Sequence, residues 1–480
     1  VLEFVKSQGL YRAAPIAVSP ASPKSRRVAL FAAAFDPPGL FHRDAVEGLL
    51  AEGFDRVVVC PTILGGAITE HAPGVHRAAL AALAFRDLDR VEVDLTELDE
   101  GRSVQPSTLE KRFEDHGEVW HVVAADPTQS LREKVQGRWE GGPGLWNSLR
   151  FVVLQPSGEN RPPEDLPPQH CLLPVGSRLM PSELRTRIYA DDDWDGEVST
   201  EVARYVRRLG LFRPGGGSLA TPMMLDCPRL RIVHDERNPK ASAIADRYSR
   251  FVSDTPDLIL AIGGDGTMLR AIREHWRHRA PFLGVNAGHL GFLMNESLPA
   301  DLDGLELISH SMPMLRVDAL TPEGRVNTGV AFSDAWIERG DGQAAWLRLD
   351  IDGQTRVKKV VGDGMLVATA SGSSAYARAM GATPLPLNTT ALTLAGSNVF
   401  QPRFWRAMTL PGESSITLAS LDRSGKRPVR AFVDGTSLGV VDSMTVRRSA
   451  VAGVELLFTR AYAPSDKLLR SLLPSEDGDA

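Results

Sequence analysis

Apolar positions along the chain fall into two regimes. From Val28 to Arg213, apolar runs of strand length (VALFAAAF, DRVVVCP, RVEVDL, VWHVVAAD, LRFVVLQP) alternate with stretches whose apolar residues recur at helical spacing, among them HRDAVEGLLAEG and GVHRAALAALAF. That alternation predicts a Rossmann-like α/β domain over 28–213, a mostly parallel sheet with helices on its faces. It returns over 230–310, where LRIVHDE, a helix over 241–251, LILAIGG, a helix from Met268 and PFLGVN follow one another. Over 311–460 the pattern changes. WLRLDIDGQTRVKKVVGDGMLVAT, SSITLASL, VRAFVDGTSLGVVD and VELLFTR are short alternating runs set between Gly, Pro and Asp turns, which predicts an all-β, sandwich-like domain. Residues 214–229 open with PGGGSLATP, and the Gly and Pro there predict a flexible linker between the two α/β parts.

Residues 1–12, VLEFVKSQGLYR, echo 202–213, VARYVRRLGLFR, with five identities at an offset of 201. Each has a Gly where a helix would stop. Two unrelated capped helices would produce this, and so would the closing helix of an upstream domain resembling the one that ends at Arg213. Ala13 to Arg27, rich in Pro, Ser and Ala, then reads as a linker.

Composition narrows the function classes. A length of 480 residues predicts about three domains. Lys plus Arg is 54 against 60 Asp plus Glu, a net charge of -6, so there is no basic footprint for sequence-independent nucleic-acid binding. No apolar run approaches the roughly 18 residues of a membrane span. Cys60, Cys171 and Cys227 are far apart, which suits a reducing compartment better than a disulfide framework or a zinc site. The opening stretch has neither a secretory nor a transit pattern, and a cytoplasmic location is the expectation.

The candidate chemistry lies in three glycine loops. In DLILAIGGDGTMLRAIREHW a buried strand runs into Gly263, Gly264, Asp265, Gly266 and Thr267, after which a helix begins. Glycines there let backbone N–H groups approach an anion, and the helix N-terminus adds partial positive charge, so phosphate is the natural occupant. A carboxylate in that setting repels phosphate. It makes sense if Asp265 takes a proton from an attacking hydroxyl or helps to hold a metal ion; a plain strand-to-helix turn with Asp as cap is the structural alternative. FLGVNAGHLGFL, with Asn286 and Gly288, is a second strand ending in a glycine loop, and VVGDGMLVATASGSSAYARAM holds a third around Asp363. Three such loops suggest a ligand with several phosphates and riboses, held between the α/β and β parts.

GGDGT at 263–267, GVNAGHLGFL at 284–293 and GDGMLVATASGSSAY at 362–376 resemble the signature segments of NAD kinases, in their usual order. The resemblance spans roughly Leu230 to Pro474. It implies an NAD kinase-type α/β domain and a β domain that binds NAD, with magnesium-dependent transfer of the ATP γ-phosphoryl group to the adenosine 2′-hydroxyl, and a homo-oligomer. Asp265 would be the general base, and Asp363 would contact the nicotinamide-side ribose. Ser371, Ser374, Ala375 and Tyr376 would surround the adenine side, the loops around Gly263, Gly264, Gly288 and Gly372 would cradle anions, and Asp434 would lie near the diphosphate. Residues 461–480, including DKLLRSLLP, would pack back on the α/β part. The family usually has an Asn-Glu pair where this chain has Ser333 and Asp334, and a His where Gln401 stands, although Arg406 fits; these departures bear on how the dinucleotide is recognised.

VALFAAAFDPPGLFH resembles the opening of nicotinate or nicotinamide mononucleotide adenylyltransferases, and the likeness continues through WHVVAADPTQSLREK and PSELRTRI. The residues this implies for a nucleotide site are Phe35, Asp36, His42, Asp126, Ser182 and Arg185. That family uses a His-x-Gly-His element on the phosphates, whereas Gly39-Leu40-Phe41-His42 keeps only the second His, with Ala32, Ala33 and Ala34 in place of small residues that are mostly Gly. The expectation is a degenerate adenylyltransferase-like domain fused to an NAD kinase. A bifunctional adenylyltransferase and kinase, and a non-catalytic dinucleotide-binding protein, are the alternatives.

Overall fold

In the computed structural model the described residues are 26–460 and 467, apart from 64–70, 125–129, 139–141, 157–165, 177, 214–219, 289–290, 388 and 423. The echo at 1–12 and Asp126 lie outside them.

The first α/β unit is a six-stranded, all-parallel sheet in the order β3-β2-β1-β4-β5-β6. Its strands are β1 Arg27–Ala33, β2 Arg56–Pro61, β3 Val91–Val93, β4 Glu118–Ala124, β5 Phe151–Pro156 and β6 His170–Val175. Burial on both faces explains the near-continuous apolar runs of β1 and β2. Helices Leu40–Ala51, Gly74–Phe85 and Thr200–Leu209 bury Val46, Leu49, Leu80, Leu83, Val202 and Val206 in one cluster with Phe31, Val57 and Val59. The 200–209 helix is bounded as its sequence dictates, by the Ser199 hydroxyl accepting from Val202 N and by Gly210 in the left-handed conformation.

Beyond it, the second α/β part and the β part share one sheet. β8 Leu230–His234, β9 Leu258–Gly263 and β10 Phe282–Asn286 are parallel, and β10 pairs in parallel with Leu456 and Leu457 of β22, Ser443–Thr459. Seventeen residues long, β22 also pairs antiparallel with β11, Glu306–Leu320, and with β19, Ile416–Ser420. The sheet of ten strands is completed by β7 Ala220–Met224, β12 Val326–Ala331, β14 Ala345–Ile351 and β15 Gln354–Gly362. β7 corrects the linker reading of 214–229: Met223 and Met224 pair with Leu307 and Glu306 at the edge of β11, an edge being where a strand containing Pro222 is tolerated.

A separate antiparallel sheet runs in the order β18-β17-β16-β13-β20-β21. It comprises β13 Asp334–Arg339, β16 Gly364–Ala368, β17 Leu392–Ser397, β18 Met408–Leu410, β20 Val429–Val433 and β21 Thr436–Val441. Its inner face packs on β11, β14, β19 and β22 through Ile337, Val367, Leu394, Ala431, Leu347, Leu418 and Val446, which makes a sandwich. No helix among the described residues is long and apolar enough to cross a membrane.

The first unit is docked on β22. Ala78, Leu98 and Val451 form a shared buried cluster. Arg208 reaches Glu455 through two hydrogen bonds of 2.8 Å, Ser309 Oγ donates to the same carboxylate at 3.1 Å, and Asp99 pairs with Arg316.

Candidate active site

All six residues of β9 are buried, and the strand delivers the chain directly into the helix Asp265–His275. The helix starts three residues earlier than the expected Met268, so Asp265, Gly266 and Thr267 form its first turn and Gly264 is its cap. Thr267 N is taken up by Gly264 O at 2.9 Å, while the N–H groups of Asp265 and Gly266 precede any intrahelical acceptor. Gly263 is required: its φ is +158°, and a Cβ there would collide with the Thr267 hydroxyl.

Asp265 is held from the second loop. Its Oδ2 accepts from Phe292 N at 3.0 Å and its Oδ1 from Leu293 N at 2.8 Å. Burial raises the carboxyl above the ordinary Asp value, and the two amide bonds and the Lys467 ammonium partly offset that rise. In the same loop Asn286 Oδ1 accepts from Gly288 N at 3.0 Å, so the Asn side chain shapes the turn it was expected to line.

The other expected residues converge on the short backbone 332–334 between β12 and β13. Asp434 Oδ2 accepts from Phe332 N at 2.6 Å, and its Oδ1 accepts from Ser333 N at 2.9 Å and Asp334 N at 3.1 Å. Asp434 turns the hairpin between β20 and β21 with φ +42°, and its carboxylate organises 332–334. From the opposite side Thr369 Oγ1 donates to Phe332 O at 2.7 Å, and Ser371 Oγ donates to the same carbonyl at 3.1 Å. Ser374, Ala375 and Tyr376 follow toward solvent. Tyr376 is 49% exposed and meets Trp336 edge to face at 6.3 Å, so it is not a core aromatic. Phe332 is buried with Met268, Leu293 and Met294, joining this hub to the Asp265 helix and its loop.

Asp334 is the most perturbed acid of the cleft. It is buried beside Asp434, and desolvation together with that like charge pushes it up to about 7. Arg273, roughly 12 Å of helix from Asp265, donates to Asp434 O at 3.3 Å. Asp265 and the Asp334–Asp434 pair thus sit at different stations of the cleft. Asp363 is already engaged by Arg339 Nε at 2.7 Å and by Asn398 Nδ2 at 2.7 Å. Gln401 pairs through its backbone with Val361 at the end of β15.

Sequence reasoning passed over Thr369, Arg273, Arg339, Asn398 and Lys467. Thr369 carried a signal, an N-cap residue directly before ASGSS, and its hydroxyl does accept from Gly372 N. The others act across long sequence separations and leave no local pattern.

In the first unit the expected constellation is turned inward. His42 is packed among Phe31, Phe35 and Phe41 at ring separations of 4.8 to 5.8 Å, and its Nδ1 accepts from Gly39 N at 3.1 Å. Burial pushes the imidazole down to about 4, so it is neutral at pH 7. A Cβ on Gly39 would lie 2.8 Å from Leu184 Cδ1 and 3.3 Å from Glu197 O, so a side chain there would have to displace Leu184. The Asp36 carboxylate is buried against His71 Nδ1 at 2.7 Å and Ala72 N at 3.2 Å, and Arg185 donates to the Asp36 carbonyl at 2.6 Å. Phe35 is buried and Ser182 is exposed.

Residues 196–306 match the family model described as the ATP-NAD kinase N-terminal domain. The chain is 32% identical over 250 residues to the NAD kinase of Rickettsia bellii, covering 50% of this chain and 96% of that protein. It is 33% identical over 229 residues to the NAD kinase of Brucella suis, covering 47% and 88%. Among solved structures it is similar to an NAD kinase from Archaeoglobus fulgidus in complex with ATP, at 19% identity and a TM-score of 0.40, covering 51% of this chain and 99% of that one; a score that low carries no weight for the fold.

Proposed function

The chain belongs to the NAD kinase family, and from that premise we propose that it transfers the γ-phosphoryl group of MgATP to the adenosine 2′-hydroxyl of NAD, giving NADP. The observation that supports this most is Asp265, a buried carboxylate fixed by two backbone N–H groups at the entrance of a helix that follows a glycine turn. Such a group is oriented to accept the proton of an attacking hydroxyl, and its raised pKa makes it a stronger base. Phosphoryl transfer needs little more from the protein than positioning and charge stabilisation. The glycine turn and first-turn amides supply anion contacts, and the hub of Ser333, Asp334, Thr369 and Ser371 supplies hydrogen-bonding groups for the nucleoside.

Magnesium enters this reading as part of the nucleotide substrate. Among the described residues the grouping of three potential ligand side chains is Asp226, Cys227 and Asp303, exposed at the start of the second α/β part rather than in the cleft. An ion carried by phosphate oxygens and water is the usual arrangement for this metal.

For the first unit we propose a docked, non-catalytic domain. The neutral His42 in an aromatic shell, the Gly39 that stands where the first His of the element would be, and the internally bonded Asp36 all favour that over adenylyl transfer. A paired assay of the full chain tests both statements. NADP formation from NAD and MgATP is expected, without pyrophosphate release from a mononucleotide and MgATP. Pyrophosphate release would make the chain bifunctional, and NAD binding without turnover would make it a binding protein.

A further inference from the structure

The loop that holds Asp265 is itself held from behind. Phe292 and Leu293 donate their N–H groups to the Asp265 carboxylate. The carbonyls on either side of that pair, Gly291 O and Met294 O, accept from one ammonium, Lys467 Nζ, at 2.8 and 2.6 Å. The same nitrogen lies 3.0 Å from Glu296 Oε1. Lys467 is only 7% exposed and comes from 176 residues further along the chain than Gly291, so nothing in the local sequence of the loop produces this clamp.

A buried lysine is costly unless its charge and donors are matched. Here the match is to two main-chain carbonyls that bracket the two amides gripping the base. Pulling on Gly291 O and Met294 O fixes both ends of the peptide segment whose N–H groups point the other way, at Asp265. Without the ammonium those carbonyls lose a charge-assisted partner. The amides of Phe292 and Leu293 would then be free to turn, and the carboxylate with them.

We propose that Lys467 is a positioning residue for the phosphoryl transfer, a clamp that sets the orientation of Asp265. It acts from behind the loop, through Gly291 O and Met294 O and through its charge near the Asp265 carboxyl. The inference rests on the reading of Asp265 as the base, so its test carries Asp265→Asn as a reference.

The experiment is steady-state kinetics of NADP formation with the full chain, alongside amide hydrogen exchange at Phe292 and Leu293. Lys467→Met is expected to lower kcat by about 10- to 100-fold, the scale on which small misplacement of a reacting group acts, while KM for NAD and ATP stays within about threefold. Exchange at the two amides should accelerate while that of β9 and β10 is unchanged. Lys467→Arg, which keeps charge and several donors, should recover much of kcat. If Lys467→Met is too unstable to assay, Lys467→Gln decides. It is expected to fold and to show the same pattern more weakly, and a wild-type kcat in it overturns the inference. So does Lys467→Met with wild-type kcat beside an inactive Asp265→Asn. If Asp265→Asn itself keeps more than a tenth of the activity, it is the assignment of the base that falls.

Discussion

Two carboxylates in the cleft carry opposite expectations. Asp265 is needed ionised to accept a proton, and Asn at that position keeps the shape while removing the basic oxygen. Asp265→Asn should lower kcat for NADP formation by roughly 10² to 10⁴, the range of general-base catalysis. The change in unfolding free energy should stay within about 2 kcal/mol, because one of two amide donors loses its acceptor. Chemical denaturation of the same preparation separates the two effects. Asp334 differs because its charge is a burden on the fold. Its folded pKa is raised to about 7 from an ordinary value of 3.8, so between those limits the folded state holds the proton more tightly than the unfolded state. Stability from this group is therefore lost as pH rises from about 4 through about 7. Asp334→Asn removes the penalty. Its melting temperature should match wild type near pH 4 and exceed it by a growing margin toward pH 8, and a margin that shrinks with rising pH would refute the linkage.

At the scale of elements, the hub proposed to bind the nucleoside depends on how closely the turn after β16 approaches the chain between β12 and β13. Gly372 allows that approach, since a Cβ there would collide with Ser333 O. Gly372→Ala should cost about 1 to 3 kcal/mol by overpacking. It should also raise KM for NAD by about tenfold, the worth of roughly one hydrogen bond, with kcat less affected. A crystal structure with 332–334 unmoved and an unchanged KM would remove the hub from binding. Much of this layout was legible in advance, because the helix over 74–85 keeps an apolar spacing of helical period and β1, β2, β4, β5 and β9 are near-continuous apolar runs of strand length. The Asp265 helix was read three residues late because Gly, Asp, Gly and Thr have loop propensities that tertiary placement overrides. β6 and β7 were passed over since each is short, contains a proline and lies at a sheet edge. β22 was read only in its last part, VELLFTR, because Arg447, Arg448 and Ser449 interrupt the alternation. The grip on Asp265 and the hub around Asp434 could not be read, since their partners lie 27 to 102 residues apart.

For the whole molecule, β22 is the member that every part touches. Near its middle Val451 meets the first unit, at Glu455 it takes Arg208, and at Leu456 and Leu457 it pairs with β10. Asn295, directly after the loop that grips Asp265, donates to Leu457 O at 3.0 Å and accepts from Thr459 N at 2.8 Å. The docked first unit is therefore one strand away from the loop that grips Asp265, and its attachment should be felt in stability before activity. Arg208 and Glu455 are largely buried, and removing one partner leaves the other charge without compensation, which typically costs about 3 to 5 kcal/mol. Arg208→Met should destabilise the chain by about that much and split a single calorimetric transition into two, as the first unit comes free of the sheet. Replacing both residues, Arg208→Met with Glu455→Leu, removes the stranded charge and should restore most of the loss together with the single transition. If the double variant is no better than Arg208→Met alone, the loss is that of the ion pair itself and not of a stranded charge; if Arg208→Met keeps wild-type stability and a single transition, the contact is held by Ala78, Leu98 and Val451.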